Sequence, residues 1–350
     1  MSIKVQIEAL VRAGEMVQGG DFAGADLAGA NLAGGIFKNV SFRGARLGGA
    51  TLKESVLTGC DLSGADLRSA DLHAVTLRTT SMREASADGA VAYGLTALKS
   101  DLSASRWERA ELEHATFMQS DLAGAAFGRA GLRRACFVGS KTDAAGFGGC
   151  VFEQSVFMEA DLSKADLSGV SAKRAVFVKC ALSGQDLSGA SFIESQLMEC
   201  ELFAVDFRGA TLATCGFKGA WLQEARLDEV IASQCVFVEA TLVDATLIRA
   251  QLSRCLFAGA TLSSANLSGA DLREANLSDT VCEGALFVGA DLSYADLSRA
   301  DLTGADLSQA TLERARLHRI KDGGAIFTTR LGAWGDDPEL AAAEAWRPTL

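Results

Sequence analysis

The chain has 350 residues, of which 49% are hydrophobic and 22% charged, with a formal net charge of −11 and an isoelectric point near 4.9. This acidic balance argues against direct binding to nucleic acid or to an anionic membrane surface. No stretch is long and apolar enough to cross a bilayer, and the N-terminus lacks a hydrophobic signal core. We therefore expect a cytoplasmic protein.

The first element predicted is a short N-terminal helix. Ser2 is placed to cap a helix over Ile3–Ala13, and Gly14 is placed to end it. We expect this helix and its lead-in, residues 1–20, to cover the first coil of the domain that follows, because the ends of a repeat domain otherwise expose its core.

Residues 21–318 repeat with a period of five. From Phe22 to Leu317, every fifth residue is a centre, usually Leu or Phe, and a small residue stands two positions before it. A helix would spread such centres around its surface, and a flat strand would alternate their faces. A short extended segment followed by a corner keeps them all inside. Four such segments make a coil of about 20 residues, so the period predicts an all-β parallel solenoid of about 15 coils.

Copies such as Ala65-Asp66-Leu67 and Ala300-Asp301-Leu302 resemble the A-(D/N)-L-x-x signature of pentapeptide-repeat proteins. The resemblance implies a right-handed quadrilateral β-helix. It does not imply one function, because this fold serves several. Acidic members mimic DNA and occupy DNA gyrase. Others, of similar length and with a helix and a Gly-rich lead-in like residues 13–20, occur beside secretion machinery.

The coil over residues 81–100 is the weakest match. Three successive centres are Ala87, Ala92 and Ala97, while the large residues Tyr93 and Leu95 stand off the usual positions. Either these large residues turn inward to fill the core, or the coil bulges.

Residues 319–350 leave the repeat phase. Asp337-Pro338 predicts the start of a short helix over Glu339–Trp346. We expect this segment to cap the last coil, with pairing to a second subunit as the alternative.

The outward positions on either side of each centre carry the main functional signal. We number the four sides from residue 21, so the fourth side carries the centres Phe37, Leu57 and their successors. From 116 to 258 its outward positions are mostly Val and Met, whereas the other sides are polar. β-Propensity alone would place Val on all four sides. We therefore predict an apolar contact with a protein partner or a second copy. The predicted contact residues are Met118, Val138, Val156, Met158, Val176, Val178, Met198, Val236, Val238 and Leu256, with Phe203 and Trp221 on the first side.

Acidic residues give the alternative function. Asp166, Asp186 and Asp206 align on one side, as a DNA mimic directed at a topoisomerase such as gyrase requires, but basic residues such as Arg208 interrupt the other acidic positions. Aspartate in this slot is also the family consensus and keeps the surface soluble. We therefore favour a protein-binding scaffold or adaptor over a DNA mimic. The resemblance of the lead-in, residues 13–20, suggests that such an adaptor is associated with secretion.

No pattern indicates catalysis. The three histidines lack partners for a zinc site or a triad, and no phosphate loop is present. A ladder of cysteines could suggest metal or redox chemistry, but buried thiols are common small hydrophobes. We predict no enzymatic activity, no metal and no cofactor. The inward cysteines are Cys60, Cys150, Cys180, Cys200, Cys215, Cys235 and Cys255.

Overall fold

The computed structural model describes residues 2–346, which divide into two compact units. Unit 1 ends at Leu182 and unit 2 begins at Ser183. Each unit is a parallel β-solenoid with a register of twenty residues from one turn to the next, and the two together hold about 16 turns. The predicted solenoid with short terminal helices is confirmed.

Helix α1, Ile3–Arg12, begins where the sequence predicts. The Ser2 hydroxyl accepts the N–H of Val5 at 3.4 Å, and Ile7 is the buried residue of the helix. Lys4 donates to the carbonyl of Ala28 at 2.6 Å, and the carboxylate of Glu8 accepts the N–H of Asn31 at 2.9 Å. These bonds hold α1 against the first turns of unit 1.

Hydrogen bonds between successive turns satisfy most of the backbone of a pentapeptide. At the centre Leu47, the N–H donates to the carbonyl of Asp66 at 2.7 Å, and the N–H of Ala50 returns to the carbonyl of Leu47 at 3.0 Å. The residue two after a centre adopts positive φ, for example 59° at Glu54. This conformation costs a non-glycine residue about 1–2 kcal/mol. The bond from the Glu54 N–H to the carbonyl of His73 at 2.8 Å offsets that cost.

Regular strands are concentrated on the fourth side of unit 1, where nine short strands form one parallel sheet, while two more strands pair on the third side. The remaining rungs are isolated bridges. In chain order the strands of unit 1 are β1 (Met16–Gln18), β2 (Ile36–Lys38), β3 (Val56–Thr58), β4 (Thr76–Arg78), β5 (Thr96–Leu98), β6 (Thr116–Met118), β7 (Cys136–Val138), β8 (Val151–Glu153), β9 (Val156–Met158), β10 (Ser171–Lys173) and β11 (Val176–Val178).

Unit 2 is built mainly of isolated bridges. Its last regular pair joins β14 (Asp306–Leu307) to β15 (Ile326–Phe327), and the N–H of Leu317 donates to the carbonyl of Trp334 at 2.8 Å. Helix α2 (Pro338–Ala345) follows, capped by Asp337. The strands of unit 2 are β12 (Ser191–Ile193), β13 (Gln196–Met198), β14 (Asp306–Leu307) and β15 (Ile326–Phe327).

The core contains the predicted centres and small residues, nearly all of which are buried, with Phe22, Ala25 and Ala190 among the half-buried ones. Phenylalanines of the fourth side stack at ring-centroid distances of 5.0 Å for Phe117–Phe137 and 4.6 Å for Phe137–Phe157. In unit 2, Phe217 and Phe237 stack at 4.9 Å. Such contacts explain the recurrence of Phe at this position.

The coil over residues 81–100 fills its core without a bulge. Leu95 is fully buried, whereas Tyr93 points outward, and Val91 keeps its bridge to Glu111. In the next turn, Trp107 is fully buried on the side that carries Ala87. Its indole N–H donates to the hydroxyl of Ser105 at 2.8 Å. Large neighbours therefore compensate for the small centres.

A column of buried hydroxyls lies behind the fourth side of unit 1. The N–H of Thr80 donates to the Ser100 hydroxyl, that of Ser100 to Ser120, and that of Ser120 to Ser140, each at 3.2 Å. The Ser120 hydroxyl also lies 3.1 Å from the carbonyl of Ala97, to which it can donate. These hydroxyls satisfy corner N–H groups that would otherwise be buried without a partner.

Replacing Ser120 with alanine removes one member of this column. We expect Ser120→Ala to lower the free energy of unfolding by about 1–3 kcal/mol, because the N–H of Ser100 stays buried without an acceptor. Ser41→Ala is the matched control, since Ser41 is half-exposed on another side of unit 1. Urea denaturation measures both changes, and an equal small effect would show that the column does not stabilise unit 1.

Candidate protein-binding surface

The fourth side of unit 1 presents two outward columns of mainly apolar residues. In β6, β7, β9 and β11, Met118 pairs with Val138, and Val138 with Met158. Met118 and Met158 are exposed, and the others are half-buried between neighbouring rungs. We call this surface the unit 1 strip. It consists of Met118, Cys136, Val138, Val156, Met158, Val176 and Val178.

The fourth side of unit 2 carries a shorter apolar surface, the unit 2 strip, formed by Met198, Val236, Val238, Leu256 and Ala258. Leu256 is the most exposed of them, at 43%. Gly216 and Lys218 interrupt the strip. Gly216 is buried because the Gln196 amide lies over its Cα, and Lys218 approaches the carboxylate of Glu239 at 3.9 Å.

Phe203 and Trp221 lie on the first side of unit 2, away from its strip. Their side chains are 47% and 54% exposed, and the N–H of Leu202 donates to the carbonyl of Trp221 at 2.8 Å. All twelve predicted contact residues therefore lie on the outer surface. They lie on the unit 1 strip, on the unit 2 strip and, for Phe203 and Trp221, on the first side of unit 2.

Sequence reasoning missed two further exposed groups in unit 1. Met16 and Ile36 extend the apolar character of the fourth side to β1 and β2. On the third side, the rings of His73 and Tyr93 stack at 5.3 Å, and Tyr93 lies 5.2 Å from the ring of His114. The spacing of twenty residues between 73 and 93 was the signal for this stack.

Comparison with known families identifies the repeat. A family model described as pentapeptide repeats matches overlapping copies over residues 21–91, 144–171, 175–213 and 220–319, which is more than half of the chain. The chain belongs to the pentapeptide-repeat family. The fold of that family, a right-handed quadrilateral β-helix, is the predicted one.

Solved pentapeptide-repeat structures resemble this chain at low sequence identity. QnrB1, a plasmid-mediated fluoroquinolone resistance protein, is 17% identical over 71% of this chain and 95% of its own, with a TM-score of 0.31. HetL, involved in heterocyst differentiation regulation in the cyanobacterium Nostoc sp. strain PCC 7120, is 20% identical over 90% of this chain and 96% of its own, with a TM-score of 0.18. No curated protein matches the sequence significantly. These similarities assign no function.

The consensus aspartate of the pentapeptide repeat has a local structural role here. Asp61 accepts the N–H of Ser63 at 2.8 Å, and Asp301 accepts the N–H of Thr303 at 3.1 Å. These are Asx-type bonds, which in these copies satisfy the N–H of the residue that follows the centre. The sequence analysis assigned this aspartate to the family consensus and to surface solubility, and it did not predict this bond.

Arginines neutralise part of the aspartate column in unit 2. Asp206 contacts Arg208 at 2.7 Å and Arg226 at 3.3 Å, and its side chain is only 14% exposed. The hydrogen bond from Arg208 lowers the pKa of Asp206. This carboxylate is therefore ionised and locally paired at neutral pH, which reduces the negative field that it offers to a partner.

Eight of the nine cysteines of this pentapeptide-repeat chain are buried, and several of them donate to backbone carbonyls. The thiols of Cys215, Cys235 and Cys255 contact carbonyl oxygens one turn away at 2.8–3.0 Å. Burial raises the pKa of Cys150 to about 11 and that of Cys215 to about 12. Such thiols stay protonated at neutral pH and are poor nucleophiles.

Two features are absent from residues 2–346, the part of the chain that the structure describes. Neither α1 nor α2 is long and apolar enough to span a membrane. In the same part of the chain, no three His, Cys, Asp or Glu side chains gather in a way that could hold a metal ion.

Proposed function

We propose that this protein is a non-catalytic scaffold that binds another protein, or a second copy of itself, through the apolar fourth side. The observation that carries the proposal is the pair of Val and Met columns on the unit 1 strip. Soluble monomers rarely expose contiguous apolar surface of this kind without a use for it. The unit 2 strip provides a second contact of the same chemistry.

The unit 1 strip lies on a well-ordered part of the solenoid, which favours binding. Its strands are fixed by ladder bonds, by stacked phenylalanines and by the hydroxyl column behind them. A surface that is already ordered loses little conformational entropy when a partner binds. Burying Val and Met side chains then contributes about 25 cal/mol per Å² of apolar area.

The chemistry of the chain also fits a cytoplasmic location. All nine cysteines are free thiols, as a reducing compartment favours. Asp206 and Asp61 already have polar partners within the chain, which makes them less available to a partner protein. We therefore favour binding through apolar side chains over binding through acidic ones, and the DNA-mimic alternative becomes an outcome of the test.

Recovery of partners at two salt concentrations tests the proposal. The purified protein is immobilised, incubated with native lysate and washed at about 0.1 M and about 1 M salt, while light scattering measures its own oligomeric state. We expect a discrete complex that survives high salt, because apolar contacts do not weaken with screening. A topoisomerase that is recovered at low salt and lost at high salt would contradict the proposal.

A further inference from the structure

The first side of unit 2 exposes an indole ring beside a carboxylate. Trp221 bridges to Glu201 in the turn before it and to Thr241 in the turn after it. Phe203 belongs to the earlier turn, and both aromatic side chains are exposed. We call this surface the aromatic patch. It consists of Glu201, Phe203, Trp221, Gln223, Glu224, Val243 and Asp244.

Three carboxylates of the aromatic patch have no ion-pair partner in the described part of the chain. Glu201, Glu224 and Asp244 are all exposed, and none of them forms an ion pair within residues 2–346. In this respect they differ from the consensus aspartates that arginines neutralise. The three segments of the first side that form the patch contain no Lys or Arg. The patch is therefore negatively charged without local compensation.

Two of these carboxylates stand in successive turns of one corner. Glu224 and Asp244 are twenty residues apart, and both follow a centre by two positions. At the same spacing on another corner of unit 2, Arg254 and Glu274 form an ion pair at 3.0 Å. Like charges in neighbouring turns repel each other, whereas a cation placed between them is attracted by both.

Other exposed aromatic rings of unit 2 have an arginine of the chain over them. The guanidinium carbon of Arg314 lies 5.5 Å from the ring centroid of Tyr294, and that of Arg316 lies 5.9 Å from the ring centroid of Trp334. Trp221 is exposed to a similar degree, yet within residues 2–346 no basic side chain lies over its ring. Indole is the aromatic ring that attracts a cation most strongly. The Trp221 ring is therefore accessible to a cation from another molecule.

Gln223 adds a hydrogen-bond acceptor to the aromatic patch. Its Oε1 is one of two side-chain oxygen or nitrogen atoms that are buried without a hydrogen-bond partner among residues 2–346. Such acceptors are destabilising and rare in folded proteins. The Gln223 side chain as a whole is half-exposed, so a rotation of its carboxamide brings the oxygen to an incoming N–H group.

We propose that the aromatic patch binds an arginine-bearing, extended segment of a partner protein. One guanidinium stacks on the indole of Trp221 and donates to the carboxylate of Glu201. A second arginine of the segment lies between Glu224 and Asp244, and Gln223 accepts an N–H of the segment. This inference goes beyond the proposed function, because it concerns another side of the solenoid and does not depend on either strip.

The combination of an indole and carboxylates favours arginine over other cations. A guanidinium is planar, so it can stack on Trp221 while its N–H groups donate to a carboxylate. A lysine ammonium is a compact point charge that does not stack. In an extended segment, side chains two residues apart share a face and lie about 7 Å apart, so two arginines can reach the patch together. The charge of the patch repels nucleic acid.

The first test measures binding of an arginine peptide to variants of the full-length protein. The probe is a fluorescein-labelled synthetic peptide of about eight residues in which serine and arginine alternate, and fluorescence anisotropy measures its affinity. We expect at least tenfold weaker binding to Trp221→Ala, and the same for the double variant Glu224→Gln with Asp244→Asn. The matched controls Tyr294→Ala and Glu283→Gln change exposed residues outside the patch and should bind like the unmodified protein. Equal affinity for the patch variants and the controls would overturn the proposal.

The second test separates arginine recognition from a general attraction between opposite charges. A peptide with lysine in place of every arginine carries the same charge, and we expect it to bind at least fivefold more weakly, because an ammonium does not stack on Trp221. Equal binding of the two peptides would overturn the assignment of arginine. The arginine peptide should bind Val178→Glu as tightly as the unmodified chain. Weaker binding to that variant would place the peptide on the unit 1 strip and overturn the aromatic patch as its site.

Discussion

Replacing Leu262 with aspartate should unfold much of unit 2. Leu262 is a fully buried centre, and its N–H donates to the carbonyl of Val281 at 2.6 Å. An aspartate there is buried without a partner for its charge, so we expect Leu262→Asp to lower the free energy of unfolding by more than about 4 kcal/mol. Thermal denaturation followed by circular dichroism measures the loss.

The matched control changes the neighbouring residue to the same amino acid. Thr261 is half-exposed in the slot that holds Asp in the family consensus, so Thr261→Asp creates an Ala-Asp-Leu copy like Ala300-Asp301-Leu302. We expect its stability to stay within about 1 kcal/mol of the unmodified chain. Similar melting curves for the two variants would mean that inward and outward positions have been assigned wrongly.

Replacing Val178 with glutamate should abolish binding through the unit 1 strip without unfolding the protein. Val178 is half-buried in β11, where it pairs with Met158. A charge there must be desolvated when a partner binds, so we expect affinity to fall by about 2 kcal/mol or more, roughly 30-fold. Titration of the recovered partner, or of self-association, measures the change.

A matched control separates the strip from the rest of the surface. Val151 lies in β8 on the third side and is 52% exposed, so Val151→Glu introduces the same charge outside the strip. We expect Val151→Glu to leave the affinity for the partner unchanged. We expect the free energy of unfolding of Val151→Glu and of Val178→Glu to stay within about 1 kcal/mol of that of the unmodified chain. Equal losses of affinity in Val151→Glu and Val178→Glu would remove the unit 1 strip as the contact.

Much of the fold was predictable because a fixed period constrains it. Centres such as Leu47 and Phe137 are buried, and the helix expected after Ser2 begins there. The sequence did not decide whether the side chains of Leu95 and Tyr93 point inward or the coil bulges, because both arrangements keep the five-residue period. The structure buries Leu95 and leaves Tyr93 exposed.

Other features depend on contacts that a repeat pattern does not contain. The hydroxyl of Ser120 looks like a small core residue in the sequence, and only the corner geometry shows that it accepts the N–H of Ser100. The contact of Glu344 with Arg299 joins residues 45 positions apart, outside the repeat phase. Sequence spacing could therefore locate the apolar strip but not the contact between Glu344 and Arg299.

Cys136 provides the most direct measurement of whether the strip is used. It is the one half-exposed cysteine, it lies within the unit 1 strip, and the other eight are buried. Mass spectrometry after brief iodoacetamide treatment should show labelling at Cys136 alone in the free protein. In the isolated complex we predict at least tenfold slower labelling, because the partner covers the strip. Labelling of Cys136 at the same rate in the complex and in the free protein would contradict the account.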